Sequence, residues 1–434
     1  MIVSVTYIVA RLRKCRELPK FRLHASRLPI SQLKAGRGLV KLGYVHSVPF
    51  PSLDANVVQV MQMCRAFTQC GHEVTLFIPR AKRFDSDEAA RAAAREFYAG
   101  DLPFRVEFVR RVRVFGRLEM LGSVRSTLSA IRRARPDLVY TRNPWTMRFL
   151  PRAGVPFVFE VHEERVHLRE RFLDRYLRRA IVRAARAPSC LMVVAISDAL
   201  RQIWEGFGVP REKLIFAHDG VEIEMFDSQM STGEARGKLG IERARPLVVY
   251  TGALKADRGV DQMLQAARAL PEMELCLVGG KDEEIARWKM EARRLGISNV
   301  RFAGRLPHRE IPLWLAAADV LLMMWTSRVP TIRGCSPMKM FEYMAARRLI
   351  VGPAFPTIKE VLENGKDAIL FEPDRVDALI SALREALTKR NDSAMPIAAR
   401  AKAEREYTWK TRAEKILGEI KRRTPLLSPH GTGG

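Results

Sequence analysis

The feature that most constrains this chain is an alternation of short apolar runs with segments of helical period, repeated along almost its whole length. The runs are rich in Val, Ile and Leu, as buried strands of parallel sheets are, and the intervening helices would cover the faces of those sheets. The alternation therefore predicts an α/β protein.

The predicted strands fall into two series. Those of the first half are Leu42–His46, Glu73–Ile78, Leu138–Thr141, Phe157–Val161 and Leu191–Ala195. Those of the second half are Leu247–Thr251, Leu275–Val278, Val300–Ala303, Val320–Met324, Leu349–Val351 and Ile369–Phe371. Two such series predict two Rossmann-like, doubly wound domains. Pro210, Gly220 and a change in charge density across residues 209–226 indicate a linker, so we place the boundary near residue 214.

We therefore expect an N-terminal domain over residues 37–213 and a C-terminal domain over residues 214–400. Residues 401–423 would form C-terminal helices that return to the N-terminal domain. Residues 1–36 show no clear periodicity and are treated as a poorly specified extension, whereas the Pro- and Gly-rich residues 424–434 are expected to form a flexible tail.

No run of the sequence approaches the roughly twenty apolar residues that a membrane-spanning helix needs. The longest apolar run, Met1 to Ala10, is followed by basic residues, which reverses the order in a secretory signal. The six cysteines are scattered, with no close pair at metal-ligand or redox spacing. We therefore expect reduced thiols and a cytoplasmic protein.

The formal net charge is +26, and residues 1–220 carry 39 Lys and Arg against 20 Asp and Glu. Such an excess attracts polyanions, whether nucleic acid or the anionic leaflet of a membrane, and does not choose between them. Solvent-exposed helix faces that are rich in arginine would account for this excess of positive charge equally well. Nucleic-acid binding ranks last, because the chain lacks the aromatic and basic interleaving of a stacking surface.

The segment Arg165–Ala187 predicts a strongly basic helix. Its predicted apolar side holds Leu168, Phe172, Leu173, Tyr176 and Ile181, and arginines including Arg169 are distributed around it. We hypothesise that this segment docks the protein on the inner face of the cell membrane, where the lipid leaflet is anionic.

Two segments of the second half could form an anion site, because ligands of doubly wound sheets bind beyond the carboxyl ends of the strands. The loop Gly252–Gly259 follows a strand and carries Lys255 and Arg258. After the strand ending near Met324, Ser336 and Pro337 suit the N-cap and first position of a helix whose first turn carries Lys339, with Glu342 on the same face. From spacing alone, an ordinary surface helix remains the favoured alternative.

The stretch Val193–Leu200, followed by Val209-Pro210 and Ala217–Glu222, is similar to the linker region of retaining glycosyltransferases of family 4. The family's order and spacing continue in Thr251–Gly259, Leu277–Gly280, Val300–Gly304, Ser336–Ala345 and Ile358–Gly365. No single segment is decisive, but the ordered set covers roughly residues 40–390 and is highly specific. The resemblance implies the GT-B fold, in which two Rossmann-like domains face each other across a cleft.

On the C-terminal side, the resemblance implies that Arg258 and Lys339 contact the diphosphate of a nucleotide-sugar donor and that Glu342 binds its ribose, with Ser336 at the same site. Two positions depart from the family. Gly334 stands where the first carboxylate of a pair is usual, and Ala253 stands where an arginine is usual, with Lys255 the nearest candidate to compensate. Both departures occur in a branch with a segment like Pro337–Tyr343, so we do not interpret them as inactivation.

On the N-terminal side, the resemblance places Asp54 and Asn56 at the acceptor and His162 beside the donor sugar near the reacting carbon. By itself, a lone histidine after a strand is more often structural. Arg142, Asn143 and Trp145 are further candidates for the acceptor side. No metal, cofactor or covalent nucleophile is expected, since the nucleotide sugar is itself the substrate.

The function expected is that of a retaining, metal-independent hexosyltransferase. It would move a sugar from a UDP- or GDP-linked donor to a cell-surface glycan or a lipid-linked acceptor, as in polysaccharide biosynthesis. The alternative is a GT-B-like protein that has lost catalysis and only binds glycan or a partner, an idea supported by the missing carboxylate at Gly334.

Overall fold

The computed structural model describes residues 40–52, 54–98, 101–110, 118–165, 171–227, 230–241 and 245–424. The predicted extension over residues 1–36 lies outside the described residues, as do Leu168 and Arg169 of the basic segment. The predicted tail also lies outside them, except for Thr424, which is buried.

The first domain is a parallel sheet covered by helices. Its strands are β1 (Lys41–Val45), β2 (Glu73–Pro79), β3 (Arg105–Val109), β4 (Leu138–Thr141), β5 (Phe157–Val161), β6 (Cys190–Ala195) and β7 (Leu214–Phe216). Its helices are α1 (Ala55–Gln69), α2 (Asp87–Phe97), α3 (Leu118–Ala134), α4 (Pro144–Met147), α5 (Arg171–Ala185) and α6 (Asp198–Gly206). The strand order is β3-β2-β1-β4-β5-β6-β7, with every pair parallel.

The second domain repeats this architecture. Its strands are β8 (Leu247–Thr251), β9 (Glu274–Val278), β10 (Val300–Gly304), β11 (Val320–Leu322), β12 (Leu349–Pro353) and β13 (Ile369–Phe371), in the order β10-β9-β8-β11-β12-β13. Its helices are α7 (Thr232–Leu239), α8 (Val260–Ala269), α9 (Asp282–Arg294), α10 (Ile311–Ala317), α11 (Met338–Ala345), α12 (Pro356–Lys359), α13 (Val376–Thr388) and α14 (Ala394–Glu406). The two parallel sheets confirm the predicted fold class.

Short 3-10 helices connect several of these elements. They span Leu150–Arg152, Arg211–Lys213, Ile223–Phe226, Ala256–Arg258 and His308–Glu310.

The boundary predicted near residue 214 falls too early. Leu214–Phe216 pairs with β6, so the first sheet includes three residues that we had assigned to the second domain. The run is only three residues long and lies between Pro210 and Gly220, which is why the sequence favours a linker there.

The last helix, α15 (Trp409–Arg423), packs on the first domain rather than on the second. Trp409, Ala413, Ile416 and Ile420 are buried in the same core cluster as α1 and the first sheet. This spacing places one apolar stripe of α15 on α1. The chain therefore crosses the gap between the domains twice.

No helix within the described ranges combines the length and apolar character that a membrane crossing requires. The five cysteines that are described are free, and four of them are buried.

Candidate active site

A cleft of about 470 Å³ lies between the carboxyl ends of the two sheets. Both domains line it, and Asn56, His162, Arg258, Ser336, Lys339 and Glu342 of the predicted site are among its lining residues. These residues lie in segments that follow strands, and the carboxyl ends of parallel strands meet at one edge of each sheet.

Arg258 ends the 3-10 turn after β8 and holds its side chain over an aromatic ring. Its guanidinium carbon lies 4.9 Å from the ring centroid of Trp325, and its Nε is 3.6 Å from Asp257. Buried Arg258 Nε finds no hydrogen-bond partner among the described residues. The stacking fixes the guanidinium plane while leaving donors available for a ligand.

Lys339 lies in the first turn of α11 and is half-buried. Its Nζ is 4.1 Å from the ring centroid of Tyr250 and packs against Gly252, where a Cβ atom would lie only 2.6 Å from Nζ. Burial and the charge of Arg258 lower the pKa of Lys339 to about 7, although Glu342 opposes the shift. Two cations thus converge where no protein anion fully neutralises them.

Glu342 lies one turn further along α11 and pairs with a residue that we did not predict. His308 Nε2 is 2.8 Å from Glu342 Oε1. Burial alone would lower the pKa of His308, but the hydrogen bond and charge of Glu342 raise it. The pair leaves Glu342 Oε2 to receive a further donor such as a ribose hydroxyl.

The role expected of Ser336 as a helix cap is wrong. Helix α11 begins at Met338, Pro337 is its N-cap residue, and no side chain caps it. Ser336 Oγ instead accepts a hydrogen bond of 3.0 Å from the backbone N–H of Asp219, in the segment that joins the domains. The backbone of Pro337 is extended, with φ −74° and ψ 118°, so the helix begins one residue later than the sequence predicts.

The loop after β8 does not bring Lys255 to the other cations. Its side chain is exposed and lies outside the lining of the cleft, whereas Ala253 lines the cleft and is also exposed. The arrangement therefore gives Lys255 no part in replacing the arginine usual at Ala253.

Gly334 lies at a contact between the domains. A Cβ atom there would be 2.8 Å from Leu200 Cδ1, and the Gly334 carbonyl accepts a hydrogen bond of 3.0 Å from Ser197 Oγ. Ser197 also accepts a hydrogen bond from the backbone N–H of Leu200 and so caps α6. The position usual for the first carboxylate is thus occupied by a close packing of α6 on the second domain.

The two predicted acceptor-side residues are placed differently. Asn56 lines the cleft, and its buried Oδ1 has no hydrogen-bond partner within the described part of the chain. Asp54 is exposed and forms an ion pair of 3.3 Å with Arg305 of the second domain. Asn56 can therefore receive a hydroxyl donor, whereas Asp54 bridges the rim of the cleft.

His162 follows β5 and is held by a carboxylate from the strand itself. Its Nε2 is 2.5 Å from Glu160 Oε1, which also accepts 2.8 Å from Gln59 Nε2. Glu160 Oε2 accepts from the Tyr140 hydroxyl and, at 3.0 Å, from Arg412 Nη2. The sequence carries one signal of this network, since Glu160 is the single charged residue in the otherwise apolar run of β5.

The network determines the protonation of the imidazole. Burial alone would raise the pKa of Glu160, but Arg412 and His162 hold it well below its usual range. Burial, followed by the charge of Arg142, lowers the pKa of His162 to about 4. A neutral His162 next to an ionised Glu160 must donate from Nε2, which leaves Nδ1 as an acceptor.

No group of three His, Cys, Asp or Glu side chains is placed to hold a metal ion in the ranges described. What the site offers is a pair of cations on one wall and a neutral, fixed imidazole on the other. Two facing parallel-sheet domains with a cleft of this kind define the GT-B class of glycosyltransferase.

Comparison with known proteins gives the family. Residues 57–225 match the model described as Glycosyltransferase Family 4, and residues 245–389 match that of Glycosyl transferases group 1. Together the two matches span well over half of the chain, which belongs to the group 1 glycosyltransferases of family 4.

Relatives are distant in sequence. The chain is 22% identical to the sulfoquinovosyl transferase SQD2 of Arabidopsis thaliana over 67% of its own length, and 25% identical to the D-inositol 3-phosphate glycosyltransferase of Corynebacterium urealyticum over 56%. In both cases the match spans 58% of the relative.

Solved structures show the same fold. A glycosyltransferase from Rickettsia africae has a TM-score of 0.71 at 13% identity, with 89% of this chain and 99% of that chain covered. Anabaena Alr3699/HepE in complex with UDP and glucose has a TM-score of 0.69 at 19% identity, with 88% and 99% covered.

Proposed function

We propose that the chain transfers a hexose-type sugar from a nucleotide-sugar donor to a hydroxyl of an acceptor. The observation that carries the proposal is the convergence of Arg258 and Lys339 on one end of the cleft, with Arg258 Nε lacking a partner among the described residues. A diphosphate is the ligand complementary to two such cations at a helix start. The similar structures of Anabaena Alr3699/HepE in complex with UDP and with UDP-glucose support a donor of this class.

The difficult step is departure of the nucleoside diphosphate while positive charge develops on the sugar. Arg258 and Lys339 would stabilise the charge on the leaving phosphate, as preorganised electrostatic groups do, without a metal ion. We propose reaction with retention. The acceptor oxygen attacks the anomeric carbon from the face that the phosphate leaves, and a phosphate oxygen takes the acceptor proton.

Glu342 would bind the ribose, and His162 would orient the donor sugar. Glu342 and its partner His308 lie on the same wall as the two cations, as a nucleoside attached to the diphosphate requires. His162 lies on the opposite wall, and its neutral ring can accept a sugar hydroxyl at Nδ1. Asn56 would receive an acceptor hydroxyl. Cell-surface glycans and lipid-linked sugars are the acceptor classes proposed.

The test is calorimetry of the purified chain with a panel of UDP- and GDP-linked sugars, followed by transfer assays with the donor that binds. Binding and transfer that Lys339→Ala and Glu342→Ala abolish would support the proposal. A donor that binds but is neither hydrolysed nor transferred would indicate the catalytically inactive alternative. Absence of binding by every nucleotide sugar would contradict the proposal.

We further propose that α5 docks the protein on an anionic membrane. Arg175, Arg179, Arg183 and Arg186 are exposed at spacings of three and four residues and so share one face, beside a groove of about 490 Å³ floored by Val182 and Phe207. Phe172, predicted on the apolar side, is 57% exposed and so is not part of the core. A basic stripe with an exposed aromatic residue is typical of helices that bind lipid surfaces.

Flotation with anionic and neutral liposomes tests this docking. The double variant Arg179→Glu/Arg183→Glu should lose recovery with anionic vesicles. The matched variant Arg287→Glu/Arg293→Glu, with the same change of charge on exposed positions of α9, should retain it. Equal recovery of the wild type with both vesicle types would refute the docking.

A further inference from the structure

One side chain of the last helix reaches into the floor of the active site. Arg412 lies in the first turn of α15, 252 positions along the chain from Glu160, and its side chain is 2% exposed. The other buried residues of α15, such as Ala413 and Ile416, serve the apolar core. A buried guanidinium among them is costly unless its charge is matched and its donors are used.

The donors of Arg412 are used on three separate elements. Nη2 donates to Glu160 Oε2 of β5 at 3.0 Å, Nε donates to the carbonyl of His218 at 2.8 Å, and Nη1 lies 3.0 Å from Met63 Sδ of α1. Glu160 is the carboxylate that holds His162 at the cleft, and His218 belongs to the segment that joins the domains.

The Glu160 carboxylate divides its two oxygens between the last helix and the imidazole. Oε2 receives Arg412, while Oε1 receives His162 Nε2 and the amide of Gln59. A carboxylate held from both sides cannot rotate, so the direction of the His162 ring depends on Arg412 through one intermediate group.

We propose that Arg412 is a positioning residue for His162: by fixing the Glu160 carboxylate that holds the ring, it keeps the imidazole directed into the cleft. The inference deepens the function proposed for this cleft and rests on it for the role of His162. The docking of the last helix thereby becomes a condition for a competent site, not only a contribution to the core.

The charges around the imidazole give the expected consequence of removing Arg412. The groups that face His162 are Glu160, Arg142, Arg412, His46 and the neighbouring Glu163. Without Arg412, Glu160 would be a buried carboxylate facing the imidazole with one less cation nearby. The pair would then bind a proton more readily, which raises the pKa of His162.

The experiment compares Arg412→Gln with Arg236→Gln in the full chain. Arg236 is an equally buried, ion-paired arginine that bonds Asp319 and the Ala317 carbonyl, at the opposite edge of the second sheet from the cleft. The readout is the titration of the His162 imidazole, measured by NMR in the protein without substrate. The His162 signal is assigned among those of the eight histidines because it is absent from the spectrum of His162→Gln.

In the wild type the ring should stay neutral from about pH 5 to pH 8, the range in which histidines ordinarily titrate. Arg412→Gln removes one of the cations that lower its pKa and should raise it by about one unit, so that the ring begins to titrate within that range. Arg412→Lys keeps the charge and should keep the ring neutral. If the Gln variant does not fold, Arg412→Met replaces it, because an apolar chain fills a buried ionic site better.

A ring that stays neutral in the charge-removing variant, Arg412→Gln or Arg412→Met, or that shifts equally in Arg236→Gln, would overturn the proposal. Steady-state rates are the second readout, and we expect Arg412→Gln to lower kcat about ten- to a hundredfold, with a smaller effect on the donor KM. Because the titration is measured without substrate, failure of the proposed function would appear as absence of donor binding and would leave this result interpretable.

Discussion

The two walls of the cleft hold their charges in opposite ways. On the second domain, Arg258 and Lys339 are half-buried beside aromatic rings, and the charge of each is incompletely matched. On the first domain, the buried Glu160 is surrounded by Gln59, Tyr140, His162 and Arg412, all of which donate to it.

The difference indicates a division of labour. A wall with unmatched cations gains free energy when an anion arrives, so it is suited to binding. A carboxylate whose oxygens are already satisfied gains little from a ligand, but it presents the edge of the His162 ring in a fixed direction. On the proposed function, the second domain would bind the donor and the first domain would orient the reaction.

The largest effect should come from removing one cation of the binding wall. Lys339→Ala deletes a charge proposed to contact the diphosphate and should lower kcat/KM for the donor by about 10² to 10³-fold. Lys255→Ala is the control, since this lysine belongs to the loop that carries Arg258 but is exposed outside the cleft. Measured donor affinities that fall equally in both variants would remove the distinction that the structure makes between them.

A carboxylate added at Gly334 tests whether that position is open to the cleft. Gly334→Glu must displace Leu200, so we expect a loss of about 1–3 kcal/mol in the free energy of unfolding and no gain in activity. Gly418→Glu on α15 is the control, because a Cβ atom there meets nothing within 4 Å. Denaturant unfolding measures both, and an unchanged stability with higher activity in Gly334→Glu would show that the missing carboxylate matters.

The pKa of Lys339 makes donor binding depend on pH. In the free protein, burial and Arg258 lower this pKa to about 7, while Glu342 opposes them. A bound diphosphate raises it again, so the complex favours the protonated form. Affinity should therefore be greatest below pH 7 and fall above it by at most about tenfold per pH unit, because one proton is coupled.

Calorimetry at pH 8 in two buffers of different ionisation enthalpy should show uptake of close to one proton. A nucleotide sugar is the right titrant, since its diphosphate is esterified at both ends and lacks the phosphate proton that titrates near pH 6. Lys339→Arg is the control, because a guanidinium does not titrate in this range and the share of the uptake that the lysine contributes should vanish.

How far the sequence predicts each wall follows from where its residues lie in the chain. The strands that were predicted appear as strands, but β3 and β7 were not predicted. Polar and apolar residues alternate in β3, a partly exposed edge strand, and β7 has only three residues. Hydrophobic periodicity detects long buried strands best, and these two lack that signal.

The residues of the candidate site also divide into those that the sequence predicts and those that it does not. Arg258, Lys339, Glu342, Asn56 and His162 line the cleft where strand ends and family spacing predict them. Arg412 and Gln59 were missed because they act through contacts with residues 101 to 252 positions away, which no local pattern encodes. His308 was missed for a similar reason, since its partner Glu342 is 34 positions away.

The smallest predicted effect concerns His308, which the sequence did not predict. On the second-domain wall of the cleft, His308 and Glu342 form a hydrogen-bonded pair of opposite charge. The pKa of His308 is raised through Glu342, so the charged pair is complete below that pKa and is lost as the pH rises through it. Loss of one such hydrogen bond is worth about 1 kcal/mol. His308→Gln should therefore raise the donor KM about two- to fivefold and leave kcat unchanged, because the ribose that Glu342 is proposed to bind does not change during the reaction. Measuring the effect in a Lys339→Arg background separates it from the titration of the lysine. There, the remaining dependence of KM on pH should belong to His308 and disappear in the double variant; a fall in kcat instead would place His308 among the groups that act on the reacting sugar.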